Sequence, residues 1–372
     1  MTEKQLDPAA FADPALCRGL LDTLRRELDG PLRFMEVCGT HTVAIFRSGL
    51  RSLLPEEIEH LSGPGCPVCV THDREIAACI ELAGREGVLV ATFGDLMRVP
   101  GPGGRTLKKA KAEGAEVEVV YSPLDALALA DGRKDRTVVF LGVGFETTAP
   151  TVAATVRMAR ERGVANFAAL TFHKLVPPAL DVLLAEGDGE GRGIDAFLLP
   201  GHVSTILGIE PYRFVPERYG KPGVVGGFDP ADILQSLILM VEMRKNGTPA
   251  IKNQYSRAVD DNGNPHAREI LFDVFEPADA LWRGIGEIPG SGLVMRDAYA
   301  DWDAWKRFSL TLPDVPKIRG CKCGDVLKGR LAPNKCPLFG KACTPASPVG
   351  PCMVSTEGSC AAYFKYNPEA SA

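Results

Sequence analysis

The sequence predicts an α/β protein with two parallel sheets, followed by a small cysteine-rich region. Short apolar segments alternate with helical patterns over most of the chain, and this alternation restarts once, near residues 131–136. Strands that alternate with helices form parallel sheets through right-handed βαβ units. A chain of 372 residues with 45% hydrophobic content can bury the cores of about two or three such domains.

The first predicted α/β domain covers residues 31–135 and follows an N-terminal helical segment over residues 1–30, where leucines recur at helical spacing. Its predicted strands cover residues 32–37, 58–61, 88–93 and 117–121. Its predicted helices cover residues 42–54, 73–83 and 107–113.

The second predicted α/β domain covers residues 136–245. Its predicted strands cover residues 137–141, 167–172, 195–199 and 224–228, and its predicted helices cover residues 150–162, 178–185 and 231–245. Beyond about residue 246 the alternation is lost. Residues 246–372 are therefore predicted to form a C-terminal domain, held partly by a metal cofactor because its tail is rich in Pro, Gly and Cys.

Charge and hydropathy exclude two classes of partner. The formal net charge is −5, and no Lys/Arg run interleaves with aromatic residues, so nucleic acid is not an expected partner. The first residues lack a signal segment, and no stretch reaches the ~18 apolar residues of a membrane helix. We therefore expect a cytoplasmic protein with no membrane partner.

Eleven cysteines are the most informative feature of the composition. In a reducing compartment, clustered cysteines indicate metal binding or redox chemistry more than structural disulfides. Five lie in the first 80 residues and six in the last 52, so two chemical sites are the simplest interpretation. Cys17 and Cys79 fall within helical patterns among apolar neighbours, which predicts that both are core residues.

The segment Cys-Gly-Thr-His-Thr at 38–42 follows a predicted strand and opens a predicted helix. The positive field of a helix N-terminus and the nearby His41 both favour a thiolate at Cys38. A thiolate is the form that binds soft iron or attacks an electrophile. The alternative is a buried, inert cysteine.

The segment Gly-Pro-Gly-Cys-Pro-Val-Cys at 63–69 has the same placement between strand and helix. A Cys-x-x-Cys such as Cys66 and Cys69 forms a reversible disulfide or chelates a metal. A structural zinc site would need a second such pair. No second Cys-x-x-Cys occurs in the sequence, which favours redox or soft-metal chemistry.

Two further loops follow predicted strands. Residues 142–148 begin as Gly-x-Gly but lack the third glycine of the dinucleotide fingerprint, so they are predicted to present Glu146 to a shared cleft and not to bind a nucleotide. Residues 200–204 place His202 at the carboxyl end of a strand, where function gathers in parallel sheets. A lone histidine can equally be structural, and both interpretations of His202 stay open.

The six C-terminal cysteines form the second predicted site. A [4Fe–4S] cluster requires four cysteine ligands, which would leave two thiols able to form a disulfide that exchanges electrons with the cluster. The paired Cys-x-x-Cys knuckles of structural zinc sites are absent, which favours iron–sulfur over zinc. Spacing alone does not say which four cysteines are ligands.

Taken together, these motifs resemble the signatures of the HypD family. The matching segments are residues 38–42, 63–69, 144–148 (Gly-Phe-Glu-Thr-Thr), 200–204 (Pro-Gly-His-Val-Ser) and 352–363 (Cys-Met-Val-Ser-Thr-Glu-Gly-Ser-Cys-Ala-Ala-Tyr). The resemblance implies two α/β domains flanking a cleft and a third domain with a [4Fe–4S] cluster. It also implies that the chain and the small chaperone HypC hold one iron while the Fe(CN)2CO group of [NiFe]-hydrogenase is assembled. HypE, working with HypF, would supply cyanide, and the group would pass to the hydrogenase large subunit.

The resemblance further implies roles for individual residues. Cys38 would be an iron ligand, shared with a cysteine of HypC, and Cys66 and Cys69 would be the thiol–disulfide pair of the cleft. His41, Glu146 and His202 would be supporting polar residues. The implied cluster ligands are Cys321, Cys336, Cys343 and Cys360, and the implied second redox pair is Cys323 and Cys352.

Two other functions compete with this one. An iron–sulfur-dependent protein disulfide reductase would explain the Cys-x-x-Cys and the surplus thiols, but this function does not require Cys38. A zinc-stabilised interaction protein with no redox role is the third alternative.

Overall fold

A computed structural model describes residues 8–186, 193–316 and 318–366, so residues 1–7 of the predicted N-terminal helical segment lie outside the described ranges. The strands are β1 (Leu32–Glu36), β2 (Ile58–Ser62), β3 (Val88–Thr92), β4 (Glu116–Val119), β5 (Thr137–Gly142), β6 (Phe167–Thr171), β7 (Ala196–Pro200), β8 (Gly223–Gly226), β9 (Ile251–Asn253), β10 (Phe275–Trp282) and β11 (Gly286–Met295).

The α-helices alternate with these strands. They are α1 (Pro14–Glu27), α2 (Gly39–Arg47), α3 (Leu50–Leu53), α4 (Pro67–Val70), α5 (Asp73–Ala83), α6 (Leu107–Ala112), α7 (Pro123–Gly132), α8 (Ala149–Glu161), α9 (Val176–Glu186), α10 (Gly201–Leu207), α11 (Phe214–Tyr219), α12 (Pro230–Lys245), α13 (Pro265–Val274), α14 (Ala304–Arg307), α15 (Cys323–Leu327) and α16 (Ser359–Tyr366). Short 3₁₀ helices cover Pro8–Ala12, Gly94–Arg98, Pro102–Gly104, Glu210–Tyr212, Asp297–Trp302, Pro333–Lys335 and Pro351–Met353.

Two parallel sheets form the centre of the fold. The first has the strand order β2-β1-β7-β8-β9, and the second has the order β4-β3-β5-β6. Central strands such as β1, β3 and β7 are buried at every position, because helices cover both faces of each sheet. The predicted α/β class with two parallel sheets is therefore confirmed.

The division of the chain between the two sheets differs from the predicted boundary at residues 135/136. The first sheet takes β1 and β2 from the first predicted domain but β7, β8 and β9 from the later chain. β5 and β6, assigned to the second predicted domain, pair beside β3. Apolar patterns reveal where strands lie. The pairing of strands, however, depends on contacts between residues far apart in sequence. The predicted domain boundary therefore does not separate the two sheets.

Residues 246–372 do not form a single C-terminal domain. β9 completes the first sheet, α13 packs on α8, and the antiparallel β10–β11 hairpin packs on α9. The cysteine-rich region therefore begins only near Gly320. The sequence analysis did not predict this hairpin. Several residues of β10 are exposed, so β10 lacks the continuous apolar run of a buried parallel strand.

The cysteine-rich region rests on the first sheet's helix α2. Phe46 of α2 and Tyr363 of α16 pack with ring centroids 4.5 Å apart, and the hydroxyl of Thr40 donates to Glu357 Oε1 at 2.7 Å. This packing brings the C-terminal thiols next to the loops that follow β1 and β2. Within the described ranges, every helix is too short or too polar to span a bilayer.

Candidate functional site

The loops after β1 and β2 are bonded to each other at one edge of the first sheet. These neighbouring strands are parallel and in register from Leu32 and Ile58 onward, so their carboxyl ends coincide. The N–H of Gly39 donates to the carbonyl oxygen of Gly65 at 2.8 Å, and the N–H of Gly63 donates to that of Glu36 at 2.8 Å. These bonds place the Cys38 loop against the loop that carries the Cys-x-x-Cys.

Gly65 permits this close approach because it has no side chain. A Cβ atom at this position would lie 2.1 Å from the backbone nitrogen of Cys38, well inside any real contact distance. A glycine allows backbone to meet backbone where every other residue would force the loops apart. The second glycine of Gly-Pro-Gly therefore sets the separation of the two cysteine loops.

We expect Gly65→Ala to lower the free energy of unfolding by about 1–3 kcal/mol, the usual cost of overpacking with backbone shifts. Urea denaturation followed by circular dichroism measures this change. Gly84→Ala is the matched control, since its Cβ would meet nothing closer than 3.5 Å and should change stability by less than about 0.5 kcal/mol. Equal stabilities for the two variants would contradict the steric role of Gly65.

The Cys38 thiol is buried, and its protonation state differs from the prediction. Burial raises the pKa of Cys38 to about 12, and the negative charges of Glu357 and Glu36 add to this rise. The helix N-terminus does not offset the loss of solvation, so the expected thiolate at Cys38 is wrong.

Glu36 is a site residue that the sequence analysis missed. It is fully buried at the end of β1, where its carboxylate accepts the N–H of Cys38 (3.0 Å) and the hydroxyl of Thr42 (2.5 Å). His60 Nε2 lies 3.8 Å from the same carboxylate. Burial raises the pKa of Glu36. A carboxylate at the last position of a buried parallel strand is rare in a protein core, and that signal would have found Glu36.

His41 and His202 both pack against the ring of Phe228. The ring centroid of Phe228 lies 4.6 Å from His41 and 4.1 Å from His202. His41 Nε2 faces the carbonyl oxygens of Gly226 (3.1 Å) and Gly227 (3.0 Å), which makes this nitrogen the protonated one. Burial lowers the pKa of His41 to about 4, so it is neutral and adds no positive charge beside Cys38.

Glu146 reaches the same region from the second sheet. Its Oε1 accepts the N–H of Val176 at 2.9 Å, while its buried Oε2 has no partner among the described residues. Burial raises the pKa of Glu146 to about 8, so the carboxyl holds its proton at neutral pH. The buried Tyr212, which the sequence analysis missed, has its pKa raised chiefly by burial and further by the neighbouring Glu146.

A chain of thiols connects the two cysteine groups. The Cys66 sulfur accepts the N–H of Cys69 at 3.3 Å. The Cys66 and Cys352 thiols both raise the pKa of Cys69, and the Cys323 and Cys69 thiols both lower that of Cys352, so these sulfurs are neighbours. The pKa of Cys323 likewise depends on Cys321, the first cysteine of the C-terminal group. Cys352 therefore stands between the Cys-x-x-Cys and the rest of the C-terminal cysteines.

Cys352 differs from its neighbours Cys69 and Cys323, because its pKa is lowered whereas theirs are raised. The neighbouring Cys323 and Cys69 thiols donate to its sulfur and lower its pKa, whereas burial and hydrogen bonding raise the pKa of Cys69 well above its ordinary value. A sulfur with two donors is stabilised as the thiolate even when it is buried.

The six C-terminal cysteines line one small cavity with otherwise mainly apolar walls. Its cysteines are Cys321, Cys323, Cys336, Cys343, Cys352 and Cys360. Val326, Leu338, Phe339 and Met353 supply apolar walls, and Lys322 is the charged side chain at the rim. The thiols share this space without converging on one point: among the described residues, no group of three or more His, Cys, Asp or Glu is arranged around a single ion.

Comparison with known proteins agrees with the motifs that the fold brings together. The model of the HypD family, described as "Hydrogenase formation hypA family", matches residues 15–367. The chain belongs to the HypD family. It is 46% identical over 368 residues to hydrogenase maturation factor HypD of Rhodobacter capsulatus, covering 96% of this chain and 97% of that protein. It is also 46% identical over 342 residues to hydrogenase maturation factor HypD of Escherichia coli (strain K12), covering 92% and 91%.

In this member of the HypD family, the predicted site residues come together in two places. Cys38, Cys66 and Cys69 meet at the ends of β1 and β2, and the six C-terminal cysteines share the cavity beside them. His41 and His202 meet only through Phe228, and His202 is exposed.

The two cysteines predicted to be core residues have different surroundings. Cys79 is buried within α5, as predicted. Cys17 is partly buried on α1 and packs against the edge of the core that contains Leu21 and Leu24, so its assignment to the core is confirmed only in part.

Proposed function

We propose that this HypD-family protein, together with HypC, holds the iron on which the Fe(CN)2CO group of [NiFe]-hydrogenase is assembled. Membership of the family gives the chain a role in hydrogenase maturation. One observation carries the finer proposal: Cys38 lies against the Cys66–Cys69 loop, and a chain of thiols leads from Cys69 to the six-cysteine cavity.

The iron is the cargo of this reaction, and Cys38 would bind it with a cysteine of HypC. Cyanide and carbon monoxide favour low-spin Fe(II), for which thiolates are suitable partner ligands. Because the Cys38 thiol is protonated at neutral pH, iron binding would release its proton. HypE with HypF would supply cyanide, and the finished group would pass to the hydrogenase large subunit. We propose that these steps occur in the cytoplasm.

A [4Fe–4S] cluster is the cofactor that the cysteine cavity suits. Its wall offers more sulfur ligands than the four a cluster needs, and it offers no carboxylate or imidazole among the lining residues that the structure describes. We assign Cys321, Cys336, Cys343 and Cys360 as the ligands, which leaves Cys323 and Cys352 as a redox pair. When bound, the cluster would supply single electrons to that pair.

The order of thiols supports a specific exchange between the two pairs. The Cys352 thiolate attacks the Cys69 sulfur of a Cys66–Cys69 disulfide, forms a Cys69–Cys352 bond and releases Cys66 as a thiolate. Cys323 then attacks Cys352 and releases Cys69. The Cys66–Cys69 disulfide is thereby reduced to two thiols while Cys323 and Cys352 are oxidised to a disulfide, and two electrons and two protons are conserved between the pairs.

The proposal is tested by infrared spectra of the chain co-purified with HypC from cells that also produce HypE and HypF. We expect cyanide and carbonyl stretching bands on iron in the unchanged complex and their loss in Cys38→Ala. Cys17→Ala removes a thiol on α1, outside the site, and should keep the bands. Full retention of both bands in the Cys38→Ala complex would remove Cys38 from its proposed role.

A protein disulfide reductase remains the second candidate, because the exchange between Cys352 and the Cys66–Cys69 pair does not involve Cys38. Reduction of added protein disulfides by a complex that never shows the diatomic bands would favour the reductase. Bands that depend on Cys38 would favour the scaffold.

A further inference from the structure

The first turn of α2 carries Cys38 but lacks a side-chain cap. Cys38 occupies the N-cap position, and its side chain makes no capping hydrogen bond. Cysteine is not among the residue types that cap helices well. The turn is anchored through His41, its third residue, whose Nε2 donates to the carbonyl oxygens of Gly226 (3.1 Å) and Gly227 (3.0 Å). The buried Nδ1 of His41 has no hydrogen-bond partner among the described residues, so these two carbonyls are its polar anchor.

The amide of Gln254 fixes the segment that offers these carbonyls. The N–H of Gly227 donates to Gln254 Oε1 at 3.0 Å. The Nε2 atom of Gln254 donates to Asp232 Oδ1 at 2.8 Å and to Gln235 Oε1 at 2.9 Å. Both of these acceptors belong to α12. Gln254 therefore connects the backbone beside His41 to the first half of a long, buried helix.

Asp232 gives this connection a rigid support. Its side chain is fully buried, and Arg257 donates Nη1 to its Oδ1 at 2.7 Å and Nη2 to its Oδ2 at 2.6 Å. Bidentate pairs of this kind fix geometry as well as adding energy. A Cβ atom at Gly227 would lie 2.3 Å from Asp232 Oδ2, so a glycine is required for the segment to approach the carboxylate this closely.

We propose that Gln254 is a positioning residue for the iron bound at Cys38. Through the two carbonyls that anchor His41, it fixes the first turn of α2 and thereby the place of the Cys38 sulfur. The inference rests on the proposed function, in which Cys38 is an iron ligand. Groups that orient a metal ligand from outside the ligand shell typically contribute about 10–100-fold to metal affinity.

The test compares infrared spectra of the full chain co-purified with HypC from cells that also produce HypE and HypF. Gln254→Met keeps the length of the side chain but removes all three hydrogen bonds of its amide. We expect the cyanide and carbonyl bands, per mole of complex, to fall about tenfold. In the chain purified alone, iodoacetamide should alkylate Cys38 faster, because a loosened turn uncovers a thiol that is 7% exposed.

A double variant that exchanges donor and acceptor separates positioning from a general loss of structure. In Asp232→Asn/Gln254→Glu, the new asparagine amide donates to the new carboxylate, whose second oxygen accepts the N–H of Gly227. The amide of Gln235 can reverse to donate to the same carboxylate, and the total charge near Arg257 is unchanged. We expect this variant to recover most of the bands. A folded double variant with bands as weak as those of Gln254→Met would contradict the connection.

Gln254→Glu alone keeps the inference testable if Gln254→Met does not fold. This variant sets a second carboxylate against Asp232, so the repulsion should displace the side chain and weaken the bands. Adding Asp232→Asn removes the repulsion and should restore them. Equal bands in the single and double variants would overturn the positioning role.

Arg244→Met is the matched control at the opposite end of α12. Arg244 also pairs with a carboxylate, that of Asp29 (2.5 Å), and donates to a backbone carbonyl, that of Gly30 (3.1 Å). Its loss should leave both the bands and the alkylation of Cys38 unchanged.

Two outcomes would overturn the inference, and they separate it from the proposed function. If folded Gln254→Met keeps full bands and an unchanged alkylation rate while Cys38→Ala loses the bands, Gln254 has no positioning role and the proposed function stands. If Cys38→Ala itself keeps the bands, Cys38 does not hold the iron, and both the proposed function and the role of Gln254 are wrong.

Discussion

Cys352→Ala is expected to slow reduction of the Cys66–Cys69 disulfide by an added electron donor at least about 100-fold. Cys352 is the sulfur that joins Cys69 to Cys323, and thiol–disulfide exchange requires an attacking thiolate in contact with the disulfide. Cys66 and Cys69 are themselves buried, so a bulky reductant does not reach them directly.

The measurement follows reduction by photoreduced deazaflavin, a one-electron donor, with alkylation of Cys66 and Cys69 quantified by mass spectrometry over time. Cys79→Ala is the matched control, because Cys79 and Cys352 are each 1% exposed but Cys79 lies within α5, outside the thiol chain. Reduction at the unchanged rate in Cys352→Ala would show that electrons reach the cleft by another route.

Lys174→Met is expected to cause the largest loss of stability, about 3 kcal/mol. Lys174 Nζ lies 2.5 Å from Glu75 Oε1, and both side chains are almost fully buried, at 2% and 7% exposure. Removing one partner of a buried ion pair typically costs about 3–5 kcal/mol because the other charge is left unpaired. Burial raises the pKa of Glu75 more than the charge of Lys174 lowers it. Without Lys174, Glu75 can therefore take up a proton and become neutral. We accordingly expect a loss of stability at the lower end of this range.

Urea unfolding at neutral pH measures this loss, and the double variant Lys174→Met/Glu75→Gln should recover part of it by removing the unpaired charge. Lys306→Met removes one partner of an exposed ion pair, Lys306–Asp297, whose side chains are 44% and 99% exposed. This variant should cost far less, because solvent screens the pair. A loss for Lys174→Met no larger than that for Lys306→Met would contradict the importance of burial.

The local elements were predictable because they depend on residues close together in sequence. The predicted helix over residues 73–83 coincides with α5, and the predicted strands over residues 32–37 and 137–141 match β1 and β5 to within one residue at each end. α7 was missed, although Ser122 and Asp125 form a capping box that marks its start.

By itself, the sequence determined the α/β class, the two groups of thiols and the placement of Cys38 and Cys66 where strands give way to helices. Only the tertiary structure decided that β1 and β2 share a sheet with β7, β8 and β9, that Tyr212 belongs to the site, and that the Cys38 thiol is protonated. Periodicity and motifs are local properties of the chain. Strand pairing and loss of solvation arise from residues brought together across long separations, and no local pattern encodes them.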